Sequence, residues 1–434
     1  MLIDLGPKIP LLTLTLSLAA LAPGSAGAED QLIQQVRVFD GERTLEGVSV
    51  LVRDGRIVSV DPGVAAHAGA RVIEGAGRTL LPGLIDAHTH IRSKTDLERS
   101  LVFGVTTDLS LNMDPQVAAK LKAEQAEGRA SDRAEFFSAG SAATAPKGHG
   151  TEFGWAVPTL TEPGQAQAWI DARIAEGSDF IKIIYEHGGE HGHVVRPSID
   201  RPVLLALVAA AHARGKLAVV HIHTAEQARD AIAAGADGLA HLYLSGADEV
   251  TPELVGLLAR SHAFVMPTLA LLQSVCGLSP GRGALDDPKL RPFLLPDDVA
   301  ALERNIAKAA AADCDRPMKV TALLAAAHVP ILAGTDEPNP GIVPGASLHV
   351  ELATLVAAGL SPSAALAAAT SAVAGAFRLG DRGRIAPGQL ADLLLVDGNP
   401  TADIKATRNI VAVWKAGVRF DRDAWLARTK PAVP

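Results

Sequence analysis

Two patterns of apolar and polar residues alternate along this chain. Before about residue 80, short apolar runs are separated by turns of the Asp-Gly type, which predicts β-hairpins. From about Leu80, apolar runs alternate with alanine-rich segments, which predicts strands that alternate with helices. After Gly383 the β-type pattern returns, with strands expected at Leu393–Val396 and Ile410–Trp414. The two ends of the chain are therefore expected to differ in structure from its middle.

The middle of the chain contains as many apolar runs as a closed barrel of alternating strands and helices requires. The predicted strands are Leu80–Ala87, Gly104–Leu109, Ala134–Ser138, Phe180–Ile184, Leu217–Ile222, Gly238–Leu242, Ala263–Met266 and Val329–Ala333. Such a series fits a (β/α)8 barrel better than an open sheet. We therefore expect an α/β fold with a barrel over residues 81–382. The ends, 29–80 and 383–434, are expected to form a small flanking β-sandwich.

The first residues have the pattern of a targeting segment. Lys8 precedes an apolar stretch that is too short to span a bilayer, and Ala26-Gly27-Ala28 is a small-residue cleavage site. The sequence thus predicts a signal peptide over residues 1–28, a periplasmic or secreted protein, and no membrane span. In an oxidising compartment Cys276 and Cys314 could pair, although two buried thiols are an alternative.

Composition narrows the class of protein further. Apolar residues make up 48% of the chain and aromatic residues only 4%, so the core is expected to be aliphatic and alanine-rich. The net charge is −8 and there is no basic block, which argues against a nucleic-acid partner. The expected partner is a small-molecule substrate, and a homo-oligomer is compatible with the sequence.

The most informative polar residues are two histidines at the end of the first barrel strand. His88 and His90 are two positions apart, so their side chains project from the same face of a strand. Two neighbouring imidazoles form half of a metal site. His-x-His is common by chance, and its meaning depends on whether other ligands lie near it.

Further ionisable residues occur where other predicted strands end. They are Lys182 on strand four, His221 and His223 on strand five, His241 on strand six and Asp336 after strand eight. Each has an ordinary interpretation: a lysine that reaches solvent, a histidine bonded within the core, or an aspartate that caps a helix. Barrel enzymes, however, place their chemistry at the carboxyl ends of the strands. Joint occurrence at five such ends predicts one converged site.

These motifs resemble those of the amidohydrolase superfamily. The resemblance includes the opening Pro82–His90 segment, Lys182, Gly334-Thr335-Asp336 and the closing segment Gly383–Leu393. Within the superfamily, the chain is most similar to the imidazolonepropionase-like, prolidase-type branch, which includes Xaa-Pro dipeptidases. That branch hydrolyses dipeptides and N-acyl amino acids with two divalent metal ions.

The resemblance implies that six of these residues are metal ligands. It assigns His88, His90 and Asp336 to one metal, His221 and His241 to the other, and Lys182, carboxylated by CO2, to both. Imidazole and carboxylate ligands favour Zn2+. Two cations would generate hydroxide at neutral pH. Asp336 would act as the catalytic base and then as the acid.

The strand-five ligand has two candidates. His241 follows His221 by 20 positions, the spacing usual in the branch, which favours His221. The alternative is His223, which forms with Glu226 a His-x-x-Glu pattern similar to that of mononuclear deaminases. If His221 is the ligand, His223 would contact the substrate or support the site.

Two more residues are candidates for substrate binding. His149 lies in a Gly-His-Gly loop similar to one that contacts substrate in the branch. Arg92 completes a His-x-His-x-Arg pattern that binds a substrate carboxylate in dihydroorotases. The resulting hypothesis is a binuclear amidohydrolase that cleaves an amide or peptide bond of a dipeptide or N-acyl amino acid. A lactone, carbamate or phosphotriester hydrolase with the same site is the alternative, as is a mononuclear deaminase.

Overall fold

The protein is described by a computed structural model, which covers residues 30–64, 69–186, 195–243, 251–307 and 314–429. The signal peptide predicted over residues 1–28 lies outside this part of the chain. In the described ranges, every helix is too short or too polar to cross a bilayer.

The β-rich ends of the chain share one eight-stranded sheet. Its strands are β1 (Gln31–Phe39), β2 (Thr44–Arg53), β3 (Arg56–Asp61), β4 (Arg71–Glu74), β5 (Arg78–Pro82), β13 (Leu393–Asp397), β14 (Ile410–Lys415) and β15 (Val418–Phe420). They run in the order β15-β14-β13-β5-β1-β2-β3, with β4 beside β1. The two ends meet where β5 and β13 pair antiparallel, with Leu81 opposite Leu394.

Seven further strands pair only in parallel. They are β6 (Leu84–Thr89), β7 (Val105–Ser110), β8 (Glu135–Ser138), β9 (Ile181–Ile184), β10 (Ala218–His221), β11 (Gly238–Ala240) and β12 (Phe264–Met266). β6, β7 and β8 are consecutive neighbours, and so are β9 to β12. A parallel bridge between Ala143 and Ile183 connects the segment after β8 to β9. The expected α/β class, with parallel strands, is therefore confirmed.

The eighth predicted strand, Val329–Ala333, forms only an isolated β-bridge, between Ile331 and Val265, and not a continuous series of strand hydrogen bonds. Leu332 N donates to Val265 O on one side, and Ala87 N donates to Ala333 O on the other, both at 2.9 Å. The segment therefore lies between β12 and β6. Its carboxyl end reaches the carboxyl end of β6, where His88 is located.

The first predicted strand, Leu80–Ala87, is divided between two sheets. β5 belongs to the large sheet and β6 to the parallel strands, and Gly83 separates them. A Cβ atom at Gly83 would lie 2.2 Å from Thr106 Oγ1, so only glycine fits this crossing. A continuous apolar run therefore conceals a change of sheet.

Fourteen helices lie between and after the strands in the described ranges. They are α1 (Lys94–Val102), α2 (Pro115–Ala126), α3 (Ala166–Ala175), α4 (Arg201–Ala213), α5 (Ala225–Ala233), α6 (Thr251–Ser261), α7 (Leu269–Val275), α8 (Arg282–Leu285), α9 (Pro296–Leu302), α10 (Arg316–Ala326), α11 (Ala346–Ala357), α12 (Pro362–Ala368), α13 (Ser371–Ala376) and α14 (Arg422–Thr429).

Helix α4 illustrates how these helices form and pack. Asp200 caps its first turn by accepting a hydrogen bond from Val203 N at 2.9 Å, and Pro202 follows the cap. Leu204, Leu207 and other residues spaced three or four apart are buried on one face. Each such leucine stabilises the fold by about 1.5–3 kcal/mol.

A disulfide joins Cys276, just after α7, to Cys314, just before α10. The Cα atoms are 5.8 Å apart and the sequence separation is 38. The bond closes a loop that contains α8 and α9. Of the two alternatives left open by the sequence, the paired form is therefore the one observed.

Loss of this crosslink is expected to destabilise the protein. The double variant Cys276→Ser/Cys314→Ser should lose about 4 kcal/mol of unfolding free energy, because the unfolded chain is no longer constrained. Thermal unfolding should show a transition temperature lowered by several degrees. Dithiothreitol should lower the transition of the wild type and leave that of the double variant unchanged. Equal transitions for the two proteins without reductant would contradict this expectation.

Candidate metal centre

Three side chains converge where β6 and the segment before Gly334 end. His88 Nε2 and His90 Nε2 lie 3.0 and 2.7 Å from the same atom, Asp336 Oδ1. Alternation along β6 places both imidazoles on one face, as predicted from their spacing. The chain thus brings two nitrogen atoms and a carboxylate oxygen to one point.

Asp86 holds these two segments together. Its Oδ1 accepts hydrogen bonds from His88 N at 3.1 Å and Thr335 N at 3.0 Å, and its Oδ2 accepts one from Thr335 Oγ1 at 2.7 Å. Burial raises the pKa of Asp86 to about 7. Asp336 N donates to His88 O at 2.7 Å, and a Cβ at Gly334 would lie 2.8 Å from His88 Cβ. The close approach therefore requires glycine at residue 334.

Three residues of this centre have a strained backbone. His241, Thr268 and Asp336 have φ angles of 71°, 47° and 60°, in the left-handed region that non-glycine residues rarely adopt. Each such residue costs on the order of 1–3 kcal/mol. Surrounding contacts must therefore hold these side chains in position.

In two histidines, a hydrogen bond shows that Nδ1, on the side of the ring away from the centre, carries a hydrogen. His90 Nδ1 is 2.9 Å from Asn112 O, a carbonyl that only accepts, so Nδ1 carries the hydrogen. His241 Nδ1 is 2.8 Å from Thr268 Oγ1, whose own hydrogen is donated to Pro267 O. Thr268 therefore accepts from His241. In the His241 ring Nε2 therefore retains its lone pair, and in the His90 ring Nε2 faces Asp336 Oδ1 at 2.7 Å.

His88 is the most completely buried of these rings. Among the described residues, no group forms a hydrogen bond with either of its nitrogens, because Asp336 is near but not in the direction that a hydrogen bond requires. Burial, followed by the charge of Lys182, lowers the pKa of His88 to about 3, so the ring is neutral. A neutral ring with unsatisfied nitrogens beside a carboxylate fits a bound cation.

Lys182 occupies the middle of the buried strand β9. Its burial lowers the pKa of the amine to about 7. Within the described ranges no oxygen forms a hydrogen bond or ion pair with Nζ, so neither the solvent-exposed nor the carboxylate-paired interpretation fits. The charge of Lys182 affects the pKa values of His221 and His241 as well as that of His88. The lysine therefore lies among the three imidazoles.

Both strand-five histidines contact Glu186, a residue that was not predicted. His221 Nε2 donates to Glu186 Oε2 at 3.1 Å, and His223 Nδ1 is 3.4 Å from Glu186 Oε1. Burial alone would raise the pKa of Glu186, but the hydrogen bond from His221 and the nearby imidazoles hold it well below its usual range. The His221 ring is 4.7 Å from that of His241, and the His223 ring is 6.5 Å from it.

The two residues expected to bind substrate lie at different depths. His149 Nδ1 donates to Glu152 Oε1 at 2.9 Å, and its ring is 5.3 Å from the His221 ring. The side chain of Arg92 is 62% exposed, with Nε 3.9 Å from Asp96 Oδ2. His149 is thus inside the site and Arg92 at its edge. Their roles toward substrate stay predictions.

These residues surround a cavity of about 610 Å³. Its polar part includes the predicted ligands together with His149, Glu186 and His223. The apolar part is formed by Ile91, Met113, Val117, Phe153, Trp155, Ile184, Leu242, Leu271, Leu272, Val275 and Ile306. Glu226, by contrast, is exposed in the first turn of α5, so the His-x-x-Glu pattern does not bring its carboxylate to the metal centre.

A sequence profile of the Amidohydrolase family matches residues 79–419, which is most of the chain. The chain belongs to the amidohydrolase family. The resemblance drawn from the motifs is therefore confirmed, and this match spans all the predicted ligands of the amidohydrolase site.

Individual relatives of this amidohydrolase share less than 30% of its sequence in the three comparisons that follow. An adenine deaminase from Methylobacterium sp. (strain 4-46) is 28% identical over 349 residues, which are 78% of this chain and 50% of the deaminase. The chain thus spans half the length of that relative. A Xaa-Pro dipeptidase with bound methionine has a similar fold, with TM-score 0.72 and 24% identity over 90% of this chain and 100% of the other. Phenylurea hydrolase B has TM-score 0.74 and 21% identity over 93% and 100%.

Four residues of the centre were missed by sequence reasoning: Asp86, Asn112, Glu186 and Thr268. Glu186 had a detectable signal, because Lys182, Ile184 and Glu186 are two apart and so share the inner face of an extended β9. The other three act through hydrogen bonds between distant parts of the chain, for which no local pattern exists.

The link made by Asp86 can be tested by Thr335→Val. This change removes the hydroxyl that donates to Asp86 Oδ2 and leaves a buried oxygen without its partner, which costs about 1–3 kcal/mol. Urea unfolding of the metal-free protein should show that loss. Thr321→Val is the matched control, because its hydroxyl donates only to Pro317 O within α10. An equal effect of both substitutions would argue against a special role for the Asp86 contact.

Proposed function

We propose that this amidohydrolase is a binuclear metal-dependent hydrolase that cleaves an amide or peptide bond of a small substrate. One observation carries the proposal: several imidazoles, an aspartate and a lysine with no oxygen partner among the described residues converge in a buried cavity. His90 and His241 have their hydrogens directed away from that cavity. Lone pairs that face one another in this way favour the binding of divalent cations.

Six residues would supply the ligands: His88, His90 and Asp336 for the first ion, His221 and His241 for the second, and Lys182, after carboxylation, for both. A buried amine with a pKa near 7 is partly neutral at physiological pH, which is the form that adds to CO2. Imidazole nitrogens with carboxylate oxygens make Zn2+ the expected metal.

The catalytic role of this chain's own residues centres on Asp336. Bound metal ions would lower the pKa of a water molecule and polarise the scissile carbonyl group. Asp336 would take the proton from the attacking water and then pass it to the leaving nitrogen. Asn339 Nδ2 donates to the backbone oxygen of Asp336 at 2.6 Å, which helps to fix this carboxylate. The apolar wall would limit the access of other water molecules to the reacting carbonyl.

For the architecture, we infer a (β/α)8 barrel over residues 81–382, with a small flanking β-sandwich formed by 29–80 and 383–434. The supporting observations are the parallel pairings of β6 to β12 and the bridge between Val265 and Ile331. A barrel would bring all the strand ends named above to one face. The disulfide supports an oxidising, periplasmic or secreted location.

The cavity supports a dipeptide or N-acyl amino acid as the substrate. Its wall of aliphatic and aromatic side chains suits an apolar acyl group or side chain. Arg92 at the edge could pair with a carboxylate of the substrate, and His149 and His223 could contact the polar groups near the scissile bond. The similar fold of a Xaa-Pro dipeptidase agrees with this class of substrate.

A deaminase is the second candidate, because the adenine deaminase named above matches most of this chain. Its sequence signal here was the pair His223 and Glu226. The exposed position of Glu226 and the buried Lys182 both favour the binuclear hydrolase instead. Lactone, carbamate and phosphotriester substrates use the same attack by hydroxide, so a substrate screen must include them.

Asp336→Asn tests the catalytic proposal. The amide cannot take up the proton, so kcat should fall by about 10²–10⁴-fold, while most of the metal stays bound to the other ligands. Activity should be measured on dipeptides, N-acyl amino acids and lactones, and metal content by plasma mass spectrometry. Asp200→Asn, which keeps the cap of α4, is the matched control and should retain activity. Substantial turnover by Asp336→Asn would exclude the role of general base.

A further inference from the structure

We propose that Glu186 is a positioning residue that orients the strand-five histidines so that His221, and not His223, faces the second metal. The inference rests on the proposed binuclear function and adds to it a residue outside the six ligands. It also decides between the two strand-five candidates that the sequence left open.

The position of Glu186 is fixed by contacts on both sides of it. Tyr185 N donates to His221 O at 3.1 Å, which extends the parallel pairing of β9 and β10 by one step. The hydroxyl of Tyr185 donates to Asp230 Oδ2 at 2.9 Å, and Glu186 N donates to Ser198 Oγ at 3.1 Å. The side chain of Glu186 is 7% exposed. The carboxylate is therefore held at the wall of the cavity.

This carboxylate determines which nitrogen of His221 is available. An ionised carboxylate only accepts hydrogen bonds, so the bond of 3.1 Å to Glu186 places the hydrogen on His221 Nε2. The lone pair is then on Nδ1. Asn112 and Thr268 likewise accept hydrogen bonds from His90 and His241, but there the bonded nitrogen is Nδ1. In the His221 and His241 rings one nitrogen bonds to an oxygen and the other is available for a cation.

His223 is directed differently by the same residue. It presents Nδ1, not Nε2, to Glu186 Oε1, at 3.4 Å. The His223 ring is 6.5 Å from the His241 ring, compared with 4.7 Å for His221. Because His241 is the other proposed ligand of the second ion, His221 is the better placed of the two. His223 remains 20% exposed, as suits a residue that contacts substrate.

Glu186 could alternatively be a ligand itself. Ligand atoms of His149, Glu186 and His221 lie within 4.8 Å of one another, which is compatible with a cation between them. In that arrangement His221 Nε2 would bind the metal and would carry no hydrogen. The two arrangements therefore differ in the tautomer of His221 and in the need for His149.

Metal affinity provides the first test. Glu186→Gln keeps the shape of the side chain but loses its charge, so affinity for the second ion should fall by about 10–100-fold, with the first ion unaffected. Ions per chain should be counted after dialysis against graded concentrations of a chelator. Glu152→Gln is the matched control, because Glu152 accepts from His149 outside the ligand set, and it should retain two ions. Unchanged affinity in Glu186→Gln would overturn the proposal.

Substitution of the histidines separates the alternatives. His221→Asn should lose the second ion, whereas His223→Asn and His149→Asn should keep both. Loss of an ion in His223→Asn would make His223 the ligand, and loss in His149→Asn would indicate the alternative site; either result overturns the proposal. A wild-type protein that binds fewer than two ions contradicts the proposed function itself, which is a distinct outcome.

The tautomer of His221 can be measured in the wild-type protein, so the result does not depend on whether a variant folds. In the metal-free wild-type protein labelled with 15N-histidine, the two ring nitrogens give different chemical shifts for the two tautomers. Assignment by comparison with the spectrum of His221→Asn should show His221 with its hydrogen on Nε2. A hydrogen on Nδ1 would overturn the positioning role of Glu186, whatever the number of metal ions.

Discussion

Unshared electron pairs that face one another in a buried cavity are the constraint on which this site depends. His90 and His241 direct their hydrogens away from the cavity, and the nitrogens of His88 lack hydrogen bonds within the described part of the chain. Each unsatisfied buried group costs about 1–3 kcal/mol, so the two nitrogens of His88 destabilise the protein unless something binds them. A divalent cation satisfies lone pairs and carboxylate at once. The affinity for metal and the strain of the metal-free site have the same cause.

The fold meets this constraint by placing strand ends side by side. Parallel strands bring their carboxyl ends to one edge, and alternation along each strand selects the residues that face the cavity. Asp86 then ties β6 to the segment that carries Asp336, and Gly334 allows the two backbones to approach. The disulfide constrains the end of α7, whose Val275 belongs to the apolar wall.

The α/β class and the ligand candidates could be predicted because both depend on local patterns. The spacing of His88 and His90, and a lysine within an apolar strand, are visible in a few residues of sequence. Asn112 and Thr268 could not be identified, since each acts through a hydrogen bond to a histidine distant in sequence. The change of sheet at Gly83 was hidden for a related reason: both halves of the run are equally apolar, and only the contact with Thr106 separates them.

The proposed function requires two metal ions in this cavity, with Lys182 bridging them. Anomalous X-ray diffraction from crystals of the zinc-loaded protein, recorded on both sides of the zinc absorption edge, can locate the ions. We expect two anomalous peaks, one in contact with His88, His90 and Asp336 and one with His221 and His241. We also expect electron density for a carboxylated Lys182 side chain between them. A single peak, or an unmodified Lys182 between two peaks, would rule out the binuclear site.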